Sequence, residues 1–174
     1  VDILQLRAKG FSEPDIREMA LRVLPITRAA GVPFILNDHP ELAVEVGADG
    51  VHVGQDDQNV DAVRERVGDD FIVGKSTHSV DQAKAASCED VDYIGFGPLF
   101  ATPTKPDYRP IGMQDIRVVH ELVGVPIFCI GGVKRENLST ILQAGAKRVV
   151  IVSGILEAPD IPAYVRDVQQ MLRS

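Results

Sequence analysis

The stretch Pro33–Asp57, PFILNDHPELAVEVGADGVHVGQDD, constrains the chain more than any other. It reads as strand, short helix, strand, and each strand runs straight into a polar cluster. Pro33–Leu36 is followed by Asn37 and Asp38, and Gly50–Val53 by Gly54, Gln55, Asp56 and Asp57. Short strands joined by a helical crossover lie parallel, so their C-terminal ends share one side. Neighbouring strands stand about 5 Å apart, which brings carboxylates from two strands to one mouth. Such carboxylates repel each other unless a cation lies between them. Magnesium takes one or two carboxylates and keeps positions for waters and substrate phosphates.

The same rhythm runs through the rest. Val1–Leu6 reads as a buried strand, and Gln5, Arg7 and Lys9 form an every-other-residue polar series on one side. Ser12 caps a helix of about Glu13–Ala30, with Pro14 in its first turn, Gly31 at its end and Pro25 expected to kink or break it. Further helices are expected near Pro40–Val46, Val60–Val67, Val80–Ala86, Met113–Val123, Arg135–Ala144 and Ile161–Leu172. Further strands are expected at Phe71–Lys75, Val91–Phe96, Pro126–Ile130 and Arg148–Val152. Seven strands alternating with helices make an α/β chain with parallel strands, closed either as an open doubly wound sheet or as a barrel. No strand has the polar look of an edge, and a barrel removes edges. The expected fold is therefore a TIM (β/α)8 barrel. At 174 residues the chain falls short of the ~200 such a barrel needs, by about one strand and one helix. It also opens at Val1 inside a strand, so the first strand and helix are expected to be missing from the sequence. Residues 1–174 read as a single domain, seven of eight βα units, with no linker.

A net charge of −7 and a pI near 5.0 argue against a general nucleic-acid binder, whose affinity needs excess Lys and Arg, but leave room for a basic pocket. Cys88 and Cys129 lack metal-ligand spacing and read as reduced thiols, the usual state in the cytosol. No apolar run approaches the ~20 residues that span a bilayer. No membrane partner is expected, and the cytoplasm is the expected location.

In a barrel of this kind the reactive groups sit at the C-terminal ends of the strands. Those ends supply Gln5, Arg7, Lys9; Asn37, Asp38; Gln55, Asp56, Asp57; Ser76, Thr77, His78; Thr102, Thr104, Lys105; Gly131, Gly132; and Ser153, Gly154. Carboxylates on two strand ends, three cations, several hydroxyls and two glycine-bearing turns suit a diphosphate with its magnesium, plus a second phosphate. Each residue has a plainer explanation. Arg7 and Lys9 could be surface charges, Asp38 and Asp57 helix caps, the glycine pairs ordinary turns, Lys105 a solvated loop lysine, and His78 a structural hydrogen-bonder. His39, His52 and His120 show no metal spacing. The convergence on one mouth is what favours a site.

The motifs QLRAK (Gln5–Lys9), ND (Asn37–Asp38), GADGVHVGQDD (Gly47–Asp57), GKSTHS (Gly74–Ser79), DYIGFGPLFATPTK (Asp92–Lys105), IGG (Ile130–Gly132) and VSGI (Val152–Ile155) follow one another in the order seen in thiamine-phosphate synthases. The chain resembles that family over essentially its whole length. The resemblance implies a TIM barrel and a transferase that couples 4-amino-2-methyl-5-(diphosphooxymethyl)pyrimidine with a thiazole phosphate, giving thiamine phosphate and pyrophosphate. Carried over motif by motif, Gln5, Arg7, Lys9, Asn37, Ser76 and Lys105 bind the pyrimidine diphosphate, with Arg7, Ser76 and Lys105 closest to the chemistry. Asp38 and Asp57 hold magnesium, and Thr102, Thr104, Gly132, Val152 and Ser153 bind the thiazole phosphate. Departure of pyrophosphate, its charge neutralised by magnesium, Arg7, Lys9 and Lys105, would leave a pyrimidine methylene cation, so no protein nucleophile is required.

Against the family, the first strand and helix are expected to be missing from the sequence, and His39 stands where Arg is usual. Two rivals remain. One is the thiazole tautomerase of the same superfamily, metal-free, with His78 as proton shuttle. Asp57 in GQDD and the TPTK loop favour the synthase over it. The other is a catalytically silent phosphate-binding or regulatory barrel. The oligomeric state stays open, a homodimer among the options.

Overall fold

The computed structural model describes residues 1–55, 57–101 and 109–173, which form two compact units. The first comprises Val1–Lys75 with Glu89–Asp92; the second comprises Ser76–Cys88 and the chain from Tyr93 on.

The first unit runs β1 (Leu4–Leu6), α1 (Glu13–Ala30), β2 (Phe34–Asn37), α2 (Pro40–Val46), β3 (Gly50–Val53), α3 (Val60–Val67) and most of β4 (Ile72–Thr77). Its strands are parallel and neighbour each other in chain order. Gln5 stands beside Ile35, Ile35 beside Gly50, and Gly50 beside Ile72; two residues on, Asn37 pairs with His52 and His52 with Gly74. Side chains alternate between faces along a strand. Gln5, Ile35, Asn37, His52 and Ile72 therefore share one face. Leu4, Leu6, Phe34, Leu36, Val51, Val53 and Val73 share the other, which carries Lys75 as its charged member. Phe34, Leu36, Val51 and Val73 are fully buried there.

The Ser12 hydroxyl accepts from the Asp15 amide at the start of α1, and Gly31, at φ 63°, closes it. The expected break at Pro25 does not occur: α1 continues through it as far as Ala30. Pro25 lacks the N–H that would bond the Leu21 carbonyl. Leu21 and Pro25 are both exposed, so the freed carbonyl lies on the wet face.

Arg64 fastens the opposite, N-terminal edge of these strands. From α3 its Nη1 donates to the Phe71 carbonyl at 2.6 Å and the Gly68 carbonyl at 3.2 Å. Its Nη2 donates to the Asp90 carbonyl at 2.8 Å and to Asp92 Oδ2 at 3.0 Å. The same Asp92 oxygen accepts from the Val73 amide in β4 at 2.7 Å. One buried guanidinium thus ties α3, the turn after it, β4 and the Glu89–Asp92 segment together.

The second unit contains the end of β4, α4 (Val80–Ala86), β5 (Tyr93–Phe96), α5 (Ile116–Leu122), β6 (Ile127–Cys129), α6 (Arg135–Gln143), α7 (Ser153–Leu156) and α8 (Ile161–Arg173). Strands β5 and β6 are parallel, with Ile94, Gly95 and Phe96 beside Ile127, Phe128 and Cys129. The seventh strand, expected at Arg148–Val152, is reduced to one parallel bridge between Cys129 and Val149. Strand β6 is three residues long, and Gly131 and Gly132 at φ 96° and 66° turn the chain away before a longer ladder can form. The residues after the bridge wind into α7. Ile94, Phe96, Leu99, Ile116, Ile127, Leu138 and Ile141 make this unit's core. Among the described residues no helix is long and apolar enough to cross a membrane.

Arg64→Ala would take a donor away from the Gly68, Phe71 and Asp90 carbonyls and from the Asp92 carboxylate. A loss of roughly 2–4 kcal/mol in unfolding free energy is expected, seen as a lower urea midpoint. An unchanged midpoint would remove Arg64 as the tie.

Candidate active site

At the C-terminal end of β2, Asn37 is 8% exposed and Asp38 follows at φ 71°. This left-handed region costs most side chains energy, and Asp is among the few that visit it. The Asp38 amide donates to the His52 carbonyl of β3 at 2.9 Å, and its carboxylate meets Lys9 Nζ at 3.0 Å. Asp38 is not a cap of α2. His39 occupies that position and makes no side-chain cap bond.

At the end of β3 the Asp57 carboxylate turns back to accept from the Gly54 amide at 2.6 Å. A Cβ on Gly54 would stand 2.6 Å from the same oxygen, so a larger residue there would push the Asp57 carboxylate aside. Asp57 is not a cap of α3 either, because the Asn59 side chain performs that role by accepting from the Asp61 amide at 3.0 Å. Both aspartates therefore lose the helix-cap explanation that the sequence allowed them.

Gln5 lies on the face shared with Asn37, while Arg7 is half-buried just past β1. His52, 7% exposed beside Asn37, belongs to the same polar patch. Spacing alone could not find it, because its place follows from the register of β2 against β3. Among the described residues no three His, Cys, Asp or Glu gather as a metal cluster. The carboxylates of Asp38 and Asp57 are hard oxygen ligands. They suit magnesium, which would draw its remaining ligands from waters and phosphate oxygens, rather than zinc or copper. The Lys9 ammonium already beside Asp38 is a cation in contact with that carboxylate.

In the second unit Ser76 is 9% exposed and Thr77 is fully buried, its hydroxyl donating to the Gly95 carbonyl at 2.9 Å. The His78 ring rests through Nδ1 on the Gly97 carbonyl, and its amide donates to Gln82 Oε1 at 2.7 Å. The segment after β5 is stitched to the turn after β6. The Leu99 amide donates to the Ile130 carbonyl at 2.8 Å, and that of Phe100 to Gly131 at 3.1 Å. A Cβ on Gly132 would come within 2.7 Å of Phe100 Cβ. Asn137 holds this turn by accepting from the Lys134 amide at 2.8 Å and donating to the Gly132 carbonyl at 2.9 Å. Val152 and Ser153 lie where the chain enters α7. Thr102, Thr104 and Lys105 fall outside the described residues, as does Asp56. Cys88 and Cys129 are both free thiols, and burial pushes the Cys129 thiol up to about 12, so it is no nucleophile near neutral pH.

The family model for thiamine monophosphate synthase matches residues 1–155. The thiamine-phosphate synthase of Pelotomaculum thermopropionicum is 44% identical over 173 residues, covering 99% of this chain and 79% of the relative. That of Chloroflexus aurantiacus is 40% identical over 171 residues, covering 98% and 79%. Among solved structures, the thiamine phosphate pyrophosphorylase of Pyrococcus furiosus superposes with a TM-score of 0.90 at 27% identity, covering 99% of this chain and 83% of that one. A 3-hexulose-6-phosphate synthase superposes with a TM-score of 0.69 at 18% identity, a likeness of fold alone. The fold is thus TIM-like α/β, and the chain belongs to the thiamine-phosphate synthase family of transferases.

Proposed function

We propose that the protein couples 4-amino-2-methyl-5-(diphosphooxymethyl)pyrimidine with a thiazole phosphate and releases pyrophosphate. The observation that carries this reading is the pair of aspartates at the ends of β2 and β3. Neither caps a helix, one contacts a lysine ammonium, and the other is anchored by its own loop.

In this reading Asp38 and Asp57 hold magnesium, which when bound screens charge on the diphosphate oxygens. Lys9 exchanges Asp38 for a diphosphate oxygen. Arg7 offers a planar fork to the same group, and Gln5, Asn37, Ser76 and Lys105 complete its grip. Thr102, Thr104, Gly132, Val152 and Ser153 take the thiazole phosphate. The bond between the pyrimidine methylene carbon and the diphosphate oxygen breaks, and its electron pair leaves with pyrophosphate. The aminopyrimidine delocalises the resulting cation. The thiazole nitrogen lone pair then forms the new carbon–nitrogen bond. The residues position both substrates and neutralise the leaving group, with no covalent step on the protein. Both substrates are small diffusible anions, so the reaction suits the cytoplasm. It calls for no nucleic acid or membrane and is compatible with a homodimer. The engagement of the His78 ring with the Gly97 carbonyl supports a structural role for it over the proton shuttle of a tautomerase.

Incubation with both substrates and magnesium, following pyrophosphate, is the direct test. Release that needs both substrates and stops with a chelator is expected. No release under any condition would defeat the coupling reaction. Asp57→Ala is expected to lower kcat by about 10²-fold or more while the protein stays folded; full turnover would remove the metal assignment.

Asp38 allows a sharper test. Asp38→Gly relieves the left-handed backbone and should keep or raise the melting temperature. Asp38→Ala keeps the strain and should lose about 1 kcal/mol. Both should lose turnover. Equal melting losses in the two variants would contradict the strain.

A further inference from the structure

Within the second unit, one side chain from α8 meets both the start of α6, just after the Gly132 turn, and Gly154, just after Val152 and Ser153. The Tyr164 hydroxyl accepts from the Arg135 amide at 2.7 Å, three residues after Gly132. The same oxygen lies over Gly154, where an added Cβ would stand 2.5 Å from it and 3.3 Å from the ring carbon that bears it. Tyr164 is 8% exposed. Its ring is covered by the Arg135 guanidinium at 5.3 Å, and Arg135 reaches on to Asp167 of α8 at 2.8 Å. Phenylalanine would satisfy the packing and the cation over the ring. The hydroxyl adds a fixed distance between two backbone segments, one through a hydrogen bond and the other through steric contact. Tyr164 also lies beyond the residues that the family model matches.

We infer that Tyr164 is a positioning residue for thiazole phosphate binding, its hydroxyl setting the spacing between the Gly132 turn and the Ser153–Gly154 turn. The inference rests on the reading of Gly132, Val152 and Ser153 as the thiazole phosphate residues. A phosphate bound by fixed donors on two segments is sensitive to their separation, since donor–acceptor distances of about 2.7–3.2 Å leave little slack. Removing the hydroxyl leaves the Arg135 amide without its acceptor and frees the space over Gly154, so both turns can shift. Of the pyrimidine diphosphate residues, Gln5, Arg7, Lys9 and Asn37 belong to the first unit and should not feel the change.

Steady-state kinetics on the full chain, with both substrates varied, tests this. Tyr164→Phe is expected to raise the KM for thiazole phosphate roughly five- to tenfold. The KM for pyrimidine diphosphate and the kcat at saturation should stay within about twofold. Gly154→Ala, which drives a methyl group into the hydroxyl, should raise the thiazole phosphate KM in the native background and do so much less with Tyr164→Phe in place. That non-additivity is a signature a generally loosened fold would not give. Ser153→Ala separates the two layers of the claim. If it raises the thiazole phosphate KM while Tyr164→Phe does not, the positioning role is overturned and the phosphate assignment stands. If Ser153→Ala leaves that KM unchanged, the assignment falls and the positioning role with it. If Tyr164→Phe worsens both KM values and kcat together, alongside a lower melting temperature, the hydroxyl serves stability alone and the inference is wrong.

Discussion

A carboxylate at a strand end, in a backbone region that side chains avoid, has to be held there. Asp38 at φ 71° is held from two sides, by the His52 carbonyl that takes its amide and by the Lys9 ammonium beside its carboxylate. Local strain of this kind costs of order 1–3 kcal/mol and persists only where the surroundings over-determine it. The parallel register of β2 against β3 supplies that over-determination, because it puts the His52 carbonyl opposite the Asp38 amide. The Lys9 contact alone would not, since both partners are partly exposed and such pairs contribute little. Position is set by the sheet, and charge is set by the side chains that the sheet delivers.

The alternation of side chains divides the labour within the first unit. On one face Gln5, Asn37 and His52 are polar and belong with the strand ends. On the other, Phe34, Leu36, Val51 and Val73 are apolar, and the single lysine, Lys75, is neutralised by both oxygens of Glu89 at 2.8 and 2.6 Å. Lys75 and Lys9 have the same side chain and opposite meanings. Lys75 is mostly buried against a carboxylate two-point partner. Lys9 is 54% exposed against one carboxylate oxygen and can leave it at little cost. An exposed ammonium can exchange one anion for another; a buried one is a fastening. Arg64 is the more extreme fastening, its two terminal nitrogens shared between backbone carbonyls and the Asp92 carboxylate.

Much of this was legible in the sequence because it is local. The Ser12 cap, the Gly31 stop, the helix Val60–Val67 and the strand–helix–strand unit at its centre follow from residues a few positions apart. What was not legible depends on partners far along the chain. Pro25 looked like a helix breaker, yet whether its freed carbonyl meets water depends on which face of α1 is buried. Arg148–Val152 has the composition of a strand, but the ladder ends at one bridge because β6 is short and two glycines turn its successor away. Asp38 and Asp57 could each have capped a helix. Only the placement of His39 at the N-cap of α2 and the Asn59 side-chain bond at α3 exclude it. Arg64 and Tyr164 carried no signal at all, since an arginine in an exposed-looking helix and a tyrosine near the C-terminus are ordinary until their distant partners, Asp92 and Gly154, are in place.

These features bear on what kind of catalysis the chain can support. Of the two thiols, Cys129 is buried and held protonated far above neutral pH, and the hydroxyls of Thr77 and Tyr164 are committed to backbone groups. Among the described residues, the other strand-end side chains are amides, carboxylates, cations, the His78 ring resting on the Gly97 carbonyl and the Ser76 and Ser153 hydroxyls, together with turns whose glycines permit close backbone approach. Such a set is poor at forming a covalent bond to substrate and good at holding anions in fixed places. A diphosphate is a leaving group already; it needs its departing charge met rather than a nucleophile to displace it. The cost of that economy is geometric. When the protein contributes distances rather than bonds, groups that set distances without touching substrate, such as the Tyr164 hydroxyl, become as consequential as those that do touch it.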